Sequence, residues 1–265
     1  LDREKLVEAL HGIDAVIHLA AKKAVGESVT NPLKYYENNV GGTLNILAAM
    51  SVKKVKTIVF SSSAAVYSPN DKDAVEESDA TVPLSPYGAT KLLSEQLITS
   101  VGEAEKISHI SLRYFNVVGS AISEFGDNSK DNLVPKVFSA LKSGNRPEIY
   151  GESYPTPDGS CIRDYIHVQD LAKAHIAALK RCESGFTSAI YNVGSGRGYS
   201  VKEMMAQISE SLGRDINPQE SPARAGDSPK LIASIEKIKS ELSWRPEASL
   251  KEMIDSSWAA ESANL

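Results

Sequence analysis

No apolar run in this 265-residue chain reaches the roughly 18 residues that a membrane-spanning helix needs. There is no signal peptide at the N-terminus, so a cytoplasmic protein without a membrane partner is expected. Cysteine is scarce. Cys161 and Cys182 stand far apart, with no metal-like spacing and no disulfide framework, which points to reduced thiols and no metal centre. Positive charge is not in excess either: 29 Lys and Arg face 34 Asp and Glu, a net charge of -5. A nucleic-acid binder normally shows a basic face, so nucleic acid is not expected as a partner, while phosphorylated small molecules stay open through local Arg clusters. Internal repeats and low-complexity tracts are also missing, which excludes solenoids and flexible tails. What remains is ordinarily globular, with 42% hydrophobic and 24% charged residues, enough for one large domain or two coupled ones.

Short apolar runs alternate with helical patterns along the first half. Ile13–Ala20, Thr57–Ser63 and Ile110–Phe115 read as buried parallel strands. Asn31-Pro32 starts a helix that is expected to run to about Met50, and Pro86 starts another. The implied fold is α/β, a doubly wound Rossmann-like parallel sheet. From Gly119 to Gly159 the pattern loosens, apart from a helix near 133–141. Regular elements resume with a helix over 168–180 and a strand over 189–193, and three short helices follow around Met204, Ile238 and Ile254. The expected division is a sheet domain over 1–118 and 164–194, and a smaller α/β substrate-binding domain over 119–163 and 195–265.

One cluster carries chemistry. Ser63 ends a strand, and Tyr87 and Lys91 stand four apart at the start of a helix, on one face. An ammonium beside a phenol favours the phenolate, so Lys91 is expected to lower the Tyr87 pKa. A phenol so tuned exchanges protons with a sugar or alcohol hydroxyl near neutral pH. The trio points to hydride transfer from the carbon bearing that hydroxyl, with a nicotinamide as acceptor. Tyr and Lys four apart occur by chance in many helices; Ser63 at a strand end and Pro86 at the helix start make the catalytic reading much the stronger one.

Other motifs are weaker. Gly194-Ser195-Gly196-Arg197-Gly198 imitates a dinucleotide loop, but has the wrong glycine spacing, and reads as a tight turn with Ser200 as helix N-cap. Arg163 fits a phosphate in fork geometry or, equally, a salt bridge to Asp164. Arg224 and Asp227 offer a second cation and a ribose acceptor. His18 reads as structural, Asn116 and Asn132 as turn residues when taken alone, and Trp244 and Trp258 as core.

Taken in order, Val25-Gly26-Glu27-Ser28, Tyr35-Tyr36-Glu37-Asn38-Asn39, Phe60–Tyr67, Ser85-Pro86-Tyr87-Gly88, Arg113-Tyr114-Phe115-Asn116 and Arg163–Val168 resemble the UDP-glucose 4-epimerases of the extended short-chain dehydrogenase/reductase superfamily. The resemblance covers nearly the whole chain. It implies NAD as cofactor and a UDP-hexose as substrate, with Tyr87 as acid/base, Lys91 as its tuner and ribose contact, and Ser63 as proton relay. Leu19, Ala20, Ala21, Lys22, Lys23, Asn38 and Phe115 would line the NAD. Asn116, Asn132, Leu133, Glu148, Tyr150, Arg163, Arg224 and Asp227 would hold the UDP-sugar; Asp131 departs from the Asn common beside Asn132. Leu231 stands where the family places a bulky aromatic that excludes N-acetylated sugars, so some activity on UDP-N-acetylhexosamines is expected. Sugar-nucleotide 4,6-dehydratases have an acidic pair just after the hydroxyl residue; Ala64 and Ala65 cannot titrate, which favours epimerase. A homodimer through the helices near 31–50 and 86–102 is also implied.

The family begins with a strand, a Gly-rich loop and a helix that cradle the dinucleotide pyrophosphate. That stretch is expected upstream of Leu1, because the chain opens inside an amphipathic pattern (Leu6, Val7, Leu10) and not on Met. The alternatives are a truncated epimerase-like protein with little activity, or another nucleotide-sugar epimerase or dehydratase of the superfamily.

Overall fold

The architecture is that of a computed structural model, which describes residues 2–68, 72–129, 131–224 and 227–263. Helix α1 (Arg3–Ala9) precedes strand β1 (Val16–His18). Two short helices, α2 (Val25–Thr30) and α3 (Pro32–Tyr35), lead through a π-helical turn (Tyr36–Val40) into α4 (Gly41–Lys53). Next come β2 (Thr57–Ser61), a 3₁₀ turn (Ala64–Val66), α5 (Pro86–Glu105), β3 (Ser108–Tyr114) and β4 (Asn116–Val118). After α6 (Leu133–Lys142) and β5 (Glu148–Tyr150), β6 (Ile162–His167) runs directly into α7 (Val168–Glu183). β7 (Ser188–Val193), β8 (Gly198–Ser200), α8 (Val201–Leu212), β9 (Gln219–Ser221), β10 (Lys230–Leu231), α9 (Glu236–Leu242) and α10 (Leu250–Ala263) complete the chain.

The four apolar runs form one parallel sheet in the order β1-β2-β3-β7. Val59 stands opposite Ile17 on one side and Ile110 on the other, and Ile110 opposite Ala189. Parallel strands require crossovers, and the helices between them cover both faces. Val59, Ile110 and Leu112 pack with Ala174 and Ala178 of α7 on one face. Ile58 and Phe60 pack with Leu47 and Met50 of α4 and Ile98 of α5 on the other. Each such fully buried aliphatic or aromatic side chain contributes about 1.5–3 kcal/mol. The doubly wound α/β sheet expected from the alternation is therefore present.

Two elements differ from expectation. The strand expected over 13–20 is limited to Val16–His18, and Leu19 and Ala20 are exposed beyond its end. The helix expected from Pro32 to Met50 is interrupted by the π turn at Tyr36–Val40. Single-turn π segments are frequent at functional sites, and this one places Asn39 against the loop that follows β1.

The loop-rich half contains short strands that carry too few residues to show a period. β10, β6 and β4 form a second parallel sheet, with β8 antiparallel on β6, and β5 pairs with β9. The expected boundary at residue 164 falls inside β6, whose Ile162 and Arg163 pair with Lys230 and Leu231 while Tyr165 and His167 pair with Asn116 and Val118. The core of this second sheet gathers Phe138 of α6, Met204 and Ile208 of α8, and Ile254 of α10. Trp244 is buried in the main core and Trp258 packs edge-on against Phe138 at 5.2 Å between ring centroids. Among the described residues no helix is long and apolar enough to cross a membrane, and no cluster of His, Cys, Asp or Glu is arranged to hold a metal.

Candidate active site

β2 and α5 deliver the trio. Ser85 caps α5, its hydroxyl accepting from the Gly88 N–H at 3.2 Å, and Pro86 fills the first turn where no N–H is needed. This fixes where the helix starts, and hence where Tyr87 and Lys91 point. Gly88 lies directly on the turn after Ser63: a Cβ there would run into the Ala65 carbonyl oxygen and Pro83. A side chain at this position would force α5 away from the strand end, so the glycine permits the approach of Tyr87 to Ser63. Ser63 itself is extended (φ -160°, ψ 148°) and accepts from the Ala65 N–H at 3.1 Å.

All three side chains are buried. Lys91 Nζ donates to the Ser61 carbonyl oxygen at 2.6 Å and sits over the Phe60 ring, 4.9 Å from its centroid. Burial lowers its pKa to about 8, with the Glu95 charge opposing. The expected downward pull of Lys91 on the phenol is not what dominates. Burial pushes the Tyr87 pKa up, and the interaction that opposes it comes from the Ser63 side chain. The reason is geometric: the ammonium lies 6.0 Å from the Tyr87 ring centroid and is committed to the Ser61 carbonyl.

Two histidines back the site. His18 is buried against Phe60, its Nε2 3.1 Å from Thr43 Oγ1, and burial with the nearby Lys91 charge holds its pKa near about 4. It is neutral and structural, as expected. His175 Nδ1 meets the Leu171 carbonyl at 2.9 Å and must donate there, so its Nε2 accepts from the Ser61 hydroxyl at 2.7 Å.

Asn39 was missed by sequence reasoning. Its amide clamps the Lys22 backbone from both sides, accepting from the N–H at 2.8 Å and donating to the carbonyl at 3.0 Å. It also donates to Thr90 Oγ1 at 3.0 Å, on the helix that carries the trio. The loop Leu19–Lys23 is thereby fixed at the carboxyl end of β1, beside the ends of β2 and β3. Ligands of open α/β sheets bind at that edge. The residues present fit the nicotinamide-ribose end of NAD: Leu19 is 62% exposed and offers an apolar shelf, Ala20 adds no bulk, and Asn39 ties the loop to Thr90, the residue before Lys91. Asn38 is half-buried at the same loop, whereas Phe115 is buried in the core below.

The remaining candidates fall into three groups. Lys23, Asn116, Asn132 and Leu133 line one cavity of about 420 Å³, together with Phe138 and Tyr165; Ser63, Tyr87 and Lys91 do not line it. Asn132 donates to Asp127 at 2.6 Å. Glu148, Tyr150 and Arg224 form the second group. The Tyr150 hydroxyl donates to Glu148, and the Arg224 guanidinium stacks on the Tyr150 ring at 3.7 Å. Arg163, Asp227 and Leu231 form the third. Arg163 reaches Asp227 at 3.8 Å, and Leu231 is its register partner across β6 and β10.

The salt bridge from Arg163 to Asp164 is replaced by that contact with Asp227, because the Asp164 carboxylate is used elsewhere. It is fully buried and accepts from Ser195 N at 2.6 Å, Ser195 Oγ at 2.8 Å, Gly196 N at 3.0 Å and Ala233 N at 3.1 Å. The glycine-rich turn that imitates a dinucleotide loop does wrap an anion, but the anion is the chain's own side chain. A Cβ at Gly194 would meet the same carboxylate within 2.5 Å. Ser200 is the N-cap of α8, in a capping box with Glu203, as expected.

Residues 1–194 match the NAD dependent epimerase/dehydratase family. A UDP-glucose 4-epimerase of Halalkalibacterium halodurans is 44% identical over 255 residues, which is 94% of this chain and 76% of that protein. The crystal structure of a UDP-glucose-4-epimerase from Stenotrophomonas maltophila, with bound NAD and formylated UDP-arabinopyranose, superposes with a TM-score of 0.95 at 35% identity, covering 99% of this chain and 81% of that one. The UDP-Glc/GlcNAc 4-epimerase of Campylobacter jejuni gives a TM-score of 0.84 at 36% identity, covering 99% of this chain and 82% of that one. The resemblance read from the motifs holds at the level of sequence and of fold, and the chain belongs to the NAD dependent epimerase/dehydratase family.

Proposed function

We propose that the protein is a cytoplasmic UDP-glucose 4-epimerase that interconverts UDP-glucose and UDP-galactose. The observation that carries this reading is the convergence of Ser63, Tyr87 and Lys91 at the carboxyl ends of the sheet, with non-titrating Ala64 and Ala65 in the adjoining turn. A dehydratase needs an acid and a base there; alanines supply neither.

NAD, when bound, supplies a two-electron oxidation and re-reduction at the sugar C4. Tyr87 Oη takes the proton of the 4-hydroxyl and later returns one. Ser63 Oγ, beside it, relays that proton. Lys91 holds its ammonium behind the phenol, so the phenolate forms with a cation in the same buried pocket. Arg163 and Arg224 hold the diphosphate, Glu148 and Tyr150 the base, and Asp227 the ribose. Asn116, Asn132 and Leu133 line the side on which the hexose lies. The nucleotide grip is strong and the sugar grip weak, because the 4-ketose must turn its other face before it is reduced. The test is turnover of UDP-glucose and UDP-galactose with NAD; failure to interconvert them sinks the reading.

Leu231 supports a wider substrate range. It is smaller than an aromatic and lies beside Arg163, leaving room for an acetamido group, and the Campylobacter jejuni neighbour is named for both UDP-Glc and UDP-GlcNAc. Turnover of UDP-N-acetylglucosamine is expected, and Leu231→Tyr is expected to lower it at least about 10-fold relative to UDP-glucose, the scale of steric discrimination in a pocket. No turnover by the parent protein removes the proposal.

A homodimer through α3, α4 and α5 is proposed as well. Leu33, Leu44 and Leu93 are large, apolar and exposed on these helices. Light scattering is expected to give twice the chain mass, and Leu44→Glu with Leu93→Glu to give a monomer; a monomeric parent contradicts it.

A further inference from the structure

Tyr87, Lys91 and Glu95 recur every four residues on one buried face of α5. The function proposed above uses the first two. Glu95 is 2% exposed, and a buried carboxylate is costly unless it is paired and bonded. It is both. Arg113 of β3 grips it with Nε at 3.0 Å and Nη2 at 2.8 Å. It also accepts from the hydroxyl of Ser62, the residue that precedes Ser63. The grip continues away from the site: Arg113 donates to the Tyr67 hydroxyl at 3.0 Å, and Tyr67 to Asn192 at 2.7 Å. The end of β2, the helix of the trio and β3 are thus joined through one carboxylate.

We propose that Glu95 is a positioning residue for the trio: its carboxylate fixes the Ser62-Ser63 turn against α5 and supplies the negative charge that faces Lys91. The groups around Lys91 leave this role to Glu95. Burial and the Lys91 charge hold the pKa of His18 from β1 at about 4, and burial pushes that of Tyr87 on α5 up, so neither supplies a lasting negative charge. Tyr114 from β3 is likewise pushed up by burial, and the two ring nitrogens of His175 from α7 are taken by the Leu171 carbonyl and the Ser61 hydroxyl. Arg113, the other charge nearby, is spent on Glu95 itself. Burial lowers the Lys91 pKa, and Glu95 is the charge that raises it. Removing that charge therefore moves Lys91 deprotonation to lower pH.

The role rests on the epimerase reading, so the test separates the two. Glu95→Gln alone strands the buried Arg113 charge and destabilises the chain strongly, so Glu95→Gln is paired with Arg113→Met. The NAD-loaded protein and this double variant are compared by thermal melting, by the pH dependence of kcat and KM for UDP-glucose, and by NMR titration of Lys91 Nζ. The alkaline limb of kcat and the Lys91 titration are expected to shift together to lower pH, with KM unchanged. Ser62→Ala keeps both charges; it is expected to lower kcat about tenfold or more through the loosened turn and to leave the Lys91 titration in place. A double variant that melts lower yet keeps the parent's kcat, alkaline limb and Lys91 titration makes Glu95 a structural residue only and overturns the proposal. If the parent shows no turnover, the Lys91 titration decides alone: unshifted, it overturns the proposal.

Discussion

Tyr87→Phe is expected to lower kcat by about 10²–10⁴-fold, the range that a positioned general acid/base supplies. The substitution removes one oxygen and keeps the ring, which is buried on the first turn of α5. Ser85, Pro86 and Gly88, which set that turn, are untouched. Thermal melting should therefore stay close to that of the parent. KM for UDP-glucose should change little, because Arg163 and Arg224, proposed to hold the nucleotide rather than the 4-hydroxyl, lie outside α5. A loss in kcat at constant KM and constant melting temperature is the signature of a group that acts in the transition state. A Tyr87→Phe protein with normal turnover would remove the phenol from the mechanism.

The largest loss of stability is expected at Asp164. Asp164→Ala leaves the N–H groups of Ser195, Gly196 and Ala233 without the carboxylate that now accepts from them. An orphaned buried donor costs about 1–3 kcal/mol, so these together cost about 3 kcal/mol or more. For a chain of this size that lowers the melting temperature by roughly 6 °C or more. The effect is structural, since Asp164 ties β6 to the turn after β7 and to the segment after β10. It also has a pH signature. Burial raises the Asp164 pKa from 3.8 to about 6. A folded-state value above the ordinary one means that this group's stabilisation is full below pH 3.8 and is lost as pH rises toward about 6. Asp164→Ala should flatten that slope. Calorimetry across this range checks both; a variant as stable as the parent with the same slope contradicts the role.

The readable part of the site is the part encoded by neighbours in the chain. Ser85-Pro86 fixes the start of α5, so Tyr87 and Lys91 could be placed on one face without tertiary information. Ser200 and Glu203 show the same logic in α8. Asn39, Glu95 and Asp164 were not legible, because each acts on a partner far away in sequence. Asn39 clamps a backbone 17 residues off, Asp164 accepts from a turn 31 residues on, and Glu95 receives a hydroxyl 33 residues back. The parallel sheet followed from the apolar runs expected at 57–63 and 110–115, observed as β2 (Thr57–Ser61) and β3 (Ser108–Tyr114). β4, β8 and β10 of the second sheet escaped because two or three residues carry no period, and β6 because the charged pair Arg163-Asp164 breaks its apolar run. The balance at Tyr87 was only half legible: i, i+4 spacing predicts proximity to Lys91, but only the fold shows the burial that pushes the phenol up and the Ser61 carbonyl to which Lys91 donates.

In the proposed reaction Tyr87 and its partners direct oxidation at the sugar C4 and return of the same hydrogen. UDP-glucose carrying deuterium at C4, incubated in ordinary water with the NAD-loaded protein, tests this most directly by mass spectrometry and NMR of the product. The expected product is UDP-galactose with the deuterium retained at C4. Inversion with loss of the label to water, or no UDP-galactose at all, would contradict it.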